Sequence, residues 1–142
     1  MIMKVPAKTT LKSSREVSMV FAALQAQMVA ADPCEGEKEH FWCATLNARN
    51  VIKTVNLIAV GCLDGALVHP REVFRPAVAE SAAAIILCHN HPSGDPAPSP
   101  EDVQLTERLV EAGRILGIRV LDHVIIADGG YASLMDKTGG RS

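Results

Sequence analysis

Aromatic residues are scarce in this chain of 142 residues, and an excess of positive charge is missing. Only 4% of the residues are aromatic, so the core must be built from Ala, Val, Leu and Ile. The formal net charge is −2, which does not supply the basic surface that proteins use to neutralise nucleic-acid phosphates. Hydrophobic residues at 48% and charged residues at 21% indicate a folded domain rather than a disordered segment.

Long apolar runs and paired cysteines are missing as well. No run reaches the roughly 20 apolar residues that cross a bilayer, and Met1-Ile2-Met3-Lys4 lacks the organisation of a secretory signal. The cysteines form no C-x-x-C pair and are scattered along the chain, at Cys34, Cys43, Cys62 and Cys88. This distribution favours buried free thiols in a reducing compartment over a disulfide framework. We therefore expect a cytoplasmic protein that does not contact a membrane.

Hydrophobic periodicity and turn residues predict helices and strands in the order α-β-β-α-β-α-β-β. Ser13 and Ser14 are placed to cap a first helix, in which apolar residues recur at helical spacing. Strand-forming residues over 39–46 and 51–60 flank an asparagine-containing turn, which predicts an antiparallel hairpin. The remaining predicted elements are a helix over 70–81, a strand over 82–88, a helix over 99–117, and strands over 120–127 and 131–134.

This order of elements predicts the fold class and the domain limits. Strands interspersed with helices indicate a mixed α/β fold, in which a mixed β-sheet is packed with helices. A chain of this length forms one domain with a proper core. We place the domain over residues 13–136, between a flexible N-terminal tail at 1–12 and a C-terminal tail at 137–142.

Segment 88–102 concentrates polar side chains around a loop rich in proline and glycine. His89 and His91 follow the predicted apolar strand, and a helix begins near Ser99. Side chains alternate across a strand, so the two imidazoles point to one face and Cys88 points to the other. Their Cα atoms are two strand rises apart, about 6.6 Å, which allows both rings to reach one ion. Zinc favours such nitrogen ligands and keeps three protein ligands at catalytic sites.

A nearby carboxylate should supply the third ligand, and two are close in sequence. Asp102 lies in the first turn of the following helix, whereas Asp95 lies beside flexible Gly94. We favour Asp102, because a helix gives its side chain a fixed direction. The tetrapeptide 99–102 also has the spacing of a helix capping box, which would give Ser99 and Asp102 a purely structural role. The histidine pair and the short rigid loop together favour the metal site.

These residues resemble a known family. His89-x-His91, seven further residues, Ser99, two further residues and Asp102 match the JAMM motif of JAB/MPN metalloprotease domains. The surrounding sequence is similar to the bacterial RadC family over residues 39–136, in the blocks His69-Pro70-Arg71-Glu72-Val73-Phe74, His89-Asn90-His91-Pro92-Ser93-Gly94-Asp95-Pro96 and Leu121-Asp122-His123-Val124-Ile125-Ile126. RadC proteins usually also carry an N-terminal helix-hairpin-helix region. This chain is too short to contain it, so we expect a stand-alone version or the C-terminal domain alone.

The resemblance implies a JAB/MPN-like fold and a role for each matching residue. It implies that His89, His91 and Asp102 bind Zn²⁺, and that Ser99 helps to hold an oxyanion or the geometry of the site. The implied activity is the hydrolysis of a peptide or isopeptide bond in a peptide or protein substrate by metal-activated water.

The JAMM pattern also needs an upstream glutamate at the start of a strand, as the base that activates water. Glu39 fits this position, because it immediately precedes strand-forming residues. Glu35 and Glu37 are competitors but lie farther from the predicted strand.

Two other functions compete with hydrolysis. RadC proteins are named for DNA repair, so the resemblance also allows a DNA-repair accessory that binds DNA or protein without catalysis. Nucleic-acid binding is possible but finds no support in the charge of the chain. A metal-dependent nuclease is least favoured, because one His-His-Asp site lacks additional acids and basic residues. His123, in a matching block, is either a residue that supports the site or a hydrogen-bonded core histidine.

Overall fold

The chain folds into a six-stranded mixed sheet with helices on both faces. The computed structural model describes residues 2–3, 10–61 and 68–135. Its elements are β1 (Ile2–Met3), α1 (Ser14–Ala31), a 3-10 helix (Pro33–Glu37), β2 (Glu39–Leu46), β3 (Ile52–Gly61), α2 (Pro70–Glu80), β4 (Ala84–Asn90), α3 (Pro100–Leu116), β5 (Arg119–Ala127) and β6 (Gly130–Ser133). The predicted mixed α/β fold is confirmed, and β1 and the 3-10 helix add to the predicted order.

The strand order across the sheet is β1-β3-β2-β4-β5-β6. β4 and β5 pair in parallel, and every other pair of neighbours is antiparallel. A parallel pair needs a long crossover, which α3 provides between β4 and β5. The carboxyl ends of β4 and β5 therefore meet at one edge of the sheet, directly before the loop that carries the histidines.

α1 covers one face of the sheet. Its first turn is capped by Ser13, one of the two serines predicted to cap it, whose Oγ accepts a hydrogen bond of 3.2 Å from the Glu16 N–H. Phe21 is fully buried and its ring centroid lies 6.2 Å from that of Trp42 on β2. Burying such a side chain contributes about 1.5–3 kcal/mol, so this face of α1 holds the helix to the sheet. Within the described ranges, no helix is both long and apolar enough to cross a membrane.

The opposite face of the sheet is covered by α2 and α3. Phe74 of α2 and Leu109 of α3 are buried with Phe41 and Leu87 of the sheet in one apolar cluster. All residues of β4 are buried, as expected for a central strand covered on both faces. Odd-numbered residues at the end of β4 face α3, so this face carries the candidate site.

Part of the segment predicted as a flexible N-terminal tail belongs to the folded domain. Ile2 pairs with Asn56 and extends the edge of the sheet, and Thr10 forms an isolated bridge with Val51. Leu11 is only 4% exposed, within the cluster beneath α1. Residues 1–12 show no hydrophobic periodicity, so pairing of this segment could not be predicted from the sequence. The predicted tail at 137–142 lies outside the described residues.

The cysteine prediction is confirmed at two positions and wrong at one. Cys43 and Cys88 are buried and unbonded, whereas Cys34 is unbonded but exposed in the 3-10 helix. Cys62 lies outside the described residues. Burial raises the pKa of the Cys88 thiol well above its ordinary value, which leaves this thiol protonated and inert as a nucleophile.

Candidate metal centre

Three side chains converge at the carboxyl end of β4. The His89 Nε2 atom lies 3.2 Å from Asp102 Oδ1, and the His91 Nε2 atom lies 3.1 Å from Asp102 Oδ2. The two Nε2 atoms are 3.2 Å apart. One nitrogen or oxygen of each residue lies within 4.8 Å of those of the other two, so the group could hold a metal ion. These are the three ligands predicted from the sequence.

β4 and its neighbours fix the orientation of His89. The residue is 2% exposed, and its ring stacks on that of Phe41 with centroids 5.9 Å apart and an interplanar angle of 15°. Phe41 is the partner of His89 across the antiparallel β2–β4 pair, so strand register places the two rings together. On the other side, His89 Nδ1 lies 2.8 Å from His123 Nε2.

His91 lies one residue beyond β4 and is held by the following loop. Its backbone N–H donates to the Ile126 carbonyl at 2.9 Å, which extends the pairing with β5. Its ring Nδ1 lies 2.9 Å from the backbone oxygen of Asp95. A carbonyl oxygen can only accept, so Nδ1 carries a proton, and Nε2 is the atom whose lone pair can face the centre when the ring is neutral.

Asp102 is aimed by the start of α3. Its Oδ2 accepts from the Ser99 N–H at 2.9 Å, and its own N–H donates to Ser99 Oγ at 3.1 Å. The capping box and the metal cluster are therefore made by the same carboxylate. Burial raises the pKa of the Asp102 carboxyl, but the contact with His89 and the hydrogen bonds from Ser99 outweigh this and lower the pKa well below its ordinary value.

The donor set fits a divalent metal such as zinc. The Nε2 of His91 lies 3.1 Å from Oδ2 of Asp102, and the Nε2 of His89 lies 3.2 Å from Oδ1, so one cation could contact both rings and the carboxylate. Two imidazole nitrogens and one carboxylate oxygen are a ligand set that zinc takes at catalytic sites.

Glu39 lies on the same face of the sheet as the cluster, although it is not one of its three members. It is the first residue of β2 and is partly buried. It is separated by two positions from Phe41, so both side chains point toward the α3 face. The two competitors lie elsewhere: Glu35 pairs with His40 at 2.8 Å, and Glu37 is exposed in the 3-10 helix.

Asn90, between the two histidines, ties the Glu39 segment to β4. Its Oδ1 accepts from the His40 N–H at 2.6 Å, and its Nδ2 donates to the Lys38 carbonyl at 3.0 Å. The side chain is therefore hydrogen-bonded to the peptide groups on both sides of Glu39. This contact has no local signal in the sequence, because it joins segments that are distant in the chain.

The outcome for the other sequence candidates is mixed. Asp95 contributes its backbone carbonyl, while its carboxylate turns away to accept from the Ala97 N–H at 2.9 Å. His123 is fully buried, so it is a core residue, and it also contacts the candidate ligand His89. Thr106 escaped the sequence analysis, although its Oγ1 lies 2.6 Å from His123 Nδ1. Burial and the neighbouring His89 lower the pKa of His123 well below its ordinary value.

This fold and this cluster define a JAB-like domain with a candidate metal site. The family model described as "RadC-like JAB domain" matches residues 13–139, which is most of the chain. The chain therefore belongs to the RadC family, as the sequence motifs predicted.

Curated relatives carry the name UPF0758 protein. One from Desulforudis audaxviator is 57% identical over 98 residues, which are 69% of this chain and 43% of that protein. UPF0758 protein TTE0897 from Caldanaerobacter subterraneus subsp. tengcongensis is 60% identical over 100 residues, covering 70% and 43% of the two chains. One from Methanococcoides burtonii is 56% identical over 103 residues, covering 72% and 45%. The chain thus spans less than half the length of these relatives.

Proposed function

We propose that this domain is a zinc-dependent hydrolase that cleaves a peptide or isopeptide bond in a peptide or protein substrate. The observation that carries this proposal is the convergence of His89, His91 and Asp102 at 3.1–3.2 Å. Membership of a JAB domain family supports it, because the resemblance noted from the sequence implies this chemistry.

His89, His91 and Asp102 would hold the zinc ion, leaving room for water or substrate as a fourth ligand. A zinc ion in such a site lowers the pKa of water to about 7 and polarises a carbonyl group. The low pKa of Asp102 keeps its carboxylate charged over the whole physiological range, as a metal ligand requires.

Glu39 and Ser99 supply the proton chemistry in this proposal. The Glu39 carboxylate takes a proton from the attacking water as the new C–O bond forms at the substrate carbonyl. It then delivers that proton to the leaving amine as the C–N bond breaks, which completes hydrolysis. Ser99 Oγ accepts the Asp102 N–H, so its own O–H can donate to the carbonyl oxygen as negative charge develops there.

Metal content tests the ligand assignment. Purified parent protein should hold about one zinc ion per chain, as expected for a single three-ligand site. His91→Ala and Asp102→Ala should lose that zinc, because each removes a ligand. Asp95→Ala is the matched control, since this variant retains the backbone carbonyl that contacts His91. Zinc retained by Asp102→Ala and lost by Asp95→Ala would show that the wrong aspartate has been assigned.

Turnover tests the base. The substrates are a panel of peptides and isopeptide-linked peptides, with the release of a new amine as the readout. Glu39→Gln should keep zinc but lower kcat by about 10²–10⁴-fold, because an amide cannot accept the proton. Glu37→Gln should leave both unchanged, because Glu37 is exposed in the 3-10 helix. Parent-like turnover by Glu39→Gln contradicts its role as the base.

A further inference from the structure

A buried chain of hydrogen bonds runs from the backbone of one proposed ligand to the ring of another. Thr106 Oγ1 donates to the Asp102 carbonyl oxygen at 2.8 Å and lies 2.6 Å from His123 Nδ1. His123 Nε2 lies 2.8 Å from His89 Nδ1. Thr106, His123 and His89 are 5%, 0% and 2% exposed, so water cannot readily replace any of these contacts.

When both imidazole rings are neutral, the chemistry of the groups sets the direction of each proton along these hydrogen bonds. A threonine hydroxyl has one proton, and the Asp102 carbonyl can only accept, so Thr106 gives its proton to that carbonyl. Thr106 must then accept from His123 Nδ1–H. A neutral imidazole has a single ring proton, so the Nε2 of His123 is an acceptor and receives the Nδ1–H of His89.

We propose that His123 and Thr106 are positioning residues that hold His89 in the tautomer whose Nε2 lone pair faces the metal centre. This inference rests on the proposed metal site and adds to it two residues that touch neither metal nor substrate. For His91 the same result is achieved more simply, by the backbone carbonyl of Asp95. Both histidines are thereby set to ligate through Nε2.

Packing keeps the two rings in the geometry that this hydrogen bond needs. Phe41 stacks on His89 with centroids 5.9 Å apart and meets His123 edge-on at 5.5 Å. Asp102 takes part at both ends of this series of hydrogen bonds. Its carboxylate faces the centre beside His89, and its backbone carbonyl accepts the hydrogen bond from Thr106. The proposed ligands His89 and Asp102 are therefore linked by one buried series of hydrogen bonds.

Thr106 offers a matched pair of variants. Thr106→Val has nearly the same shape but removes the hydroxyl, so His123 Nδ1–H loses its acceptor. The buried His123 ring is then more stable with its proton on Nε2, where the proton can be given to a partner. There it faces the Nδ1–H of His89, which favours the His89 tautomer that is protonated on Nε2 instead. Thr106→Ser keeps the hydroxyl and is the conservative control.

Two measurements on the full chain test the proposal. In competition with a chelator, Thr106→Val should bind zinc about 10–100-fold more weakly than the parent, as for the loss of other groups that orient a metal ligand. Thr106→Ser should stay within about threefold of the parent by the same reasoning. In the metal-free proteins, two-bond ¹H–¹⁵N correlation spectra read the tautomer of His89 directly, at a pH well above about 6.5.

The outcomes separate this inference from the proposed function. A parent spectrum with His89 protonated at Nδ1, together with loss of that tautomer in Thr106→Val, supports the positioning role of Thr106 and His123 whether or not zinc binds. If Thr106→Val has the same His89 tautomer and the same zinc affinity as the parent, the positioning role is overturned and the proposed metal site still stands. A parent protein that binds no zinc overturns the proposed function, and the spectra still decide the tautomer.

Discussion

Ser99 and Asp102 cap each other: the serine hydroxyl accepts the aspartate N–H at 3.1 Å, and the aspartate carboxylate accepts the serine N–H at 2.9 Å. The same carboxylate lies 3.1–3.2 Å from the two histidine nitrogens. The capping interpretation of segment 99–102 is therefore confirmed, and the same carboxylate belongs to the His-His-Asp group that could hold a metal ion. Capping fixes the carboxylate, and a fixed carboxylate can serve as a ligand with little further loss of entropy.

Ser99→Ala should destabilise the metal-free protein by about 0.5–2 kcal/mol, because the Asp102 N–H loses its capping acceptor. Denaturant unfolding followed by circular dichroism measures this change. Ser93→Ala is the control, since Ser93 Oγ makes an exposed and longer contact of 3.3 Å with the Asp95 N–H. Equal losses in the two variants would contradict a specific capping role for Ser99.

Acid should remove a contribution that Asp102 makes to stability. Its folded-state pKa lies below the ordinary value, so the folded state binds fewer protons than the unfolded state at acidic pH. The contribution is complete above the unfolded pKa of about 3.9 and is lost as pH falls through this value toward the lower folded pKa. The free-energy difference between parent and Asp102→Asn, measured by urea unfolding of the metal-free proteins, should shrink over that window.

Asp128→Asn, in the exposed turn after β5, controls for the loss of one negative charge. If the difference between parent and Asp102→Asn grew as the pH fell, the sign assigned to the Asp102 shift would be wrong.

The three residues that could hold a metal ion were accessible to prediction from the sequence because their geometry is local. His89 and His91 are related by strand alternation, which needs no knowledge of the neighbouring strands. Asp102 is placed by the cap at Ser99, which is also a local motif. The loop between them is short, so the end of β4 and the start of α3 cannot separate far.

The supporting contacts could not be predicted, because they depend on strand register. Phe41 meets His89 only through the pairing of β2 with β4, and no tight turn connects these two strands. His123 reaches His89 across the β4–β5 pair, in which the register shifts between Ile85 and Ile86. A shift of one residue turns a side chain to the other face, and the sequence gives no local sign of it.

Asn90→Ala should loosen the strand that carries Glu39. The substitution leaves the buried His40 N–H without its partner, at a cost of about 1–3 kcal/mol, and also removes the part-buried hydrogen bond to the Lys38 carbonyl. Amide hydrogen exchange should show faster exchange at His40 than in the parent. Zinc affinity should change much less, because Asn90 contacts β2 rather than a proposed ligand.

Asn47→Ala is the control for Asn90→Ala. It also removes a side chain that accepts two backbone hydrogen bonds, but in the exposed turn after β2. It should leave exchange at His40 unchanged. Parent-like exchange at His40 in Asn90→Ala would show that this side chain does not hold the Glu39 segment.

Gly129→Ala should weaken zinc binding without contacting the centre. The Gly129 N–H donates to the Gly94 carbonyl at 2.9 Å, and a Cβ at Gly129 would lie 2.6 Å from that oxygen. The loop must then move, and with it the Asp95 carbonyl that orients His91. We expect about a tenfold loss of zinc affinity, the scale found when groups that orient metal ligands are disturbed.

Gly117→Ala separates this close approach from a general effect of glycine replacement. Gly117 ends α3 at φ 76° with open space around a Cβ, so alanine there strains the backbone by about 1–2 kcal/mol but displaces nothing near the centre. Gly117→Ala should therefore lower the free energy of unfolding and keep parent-like zinc affinity in chelator competition. Should Gly129→Ala bind zinc as tightly as Gly117→Ala, the Gly94–Gly129 contact does not position the ligand loop.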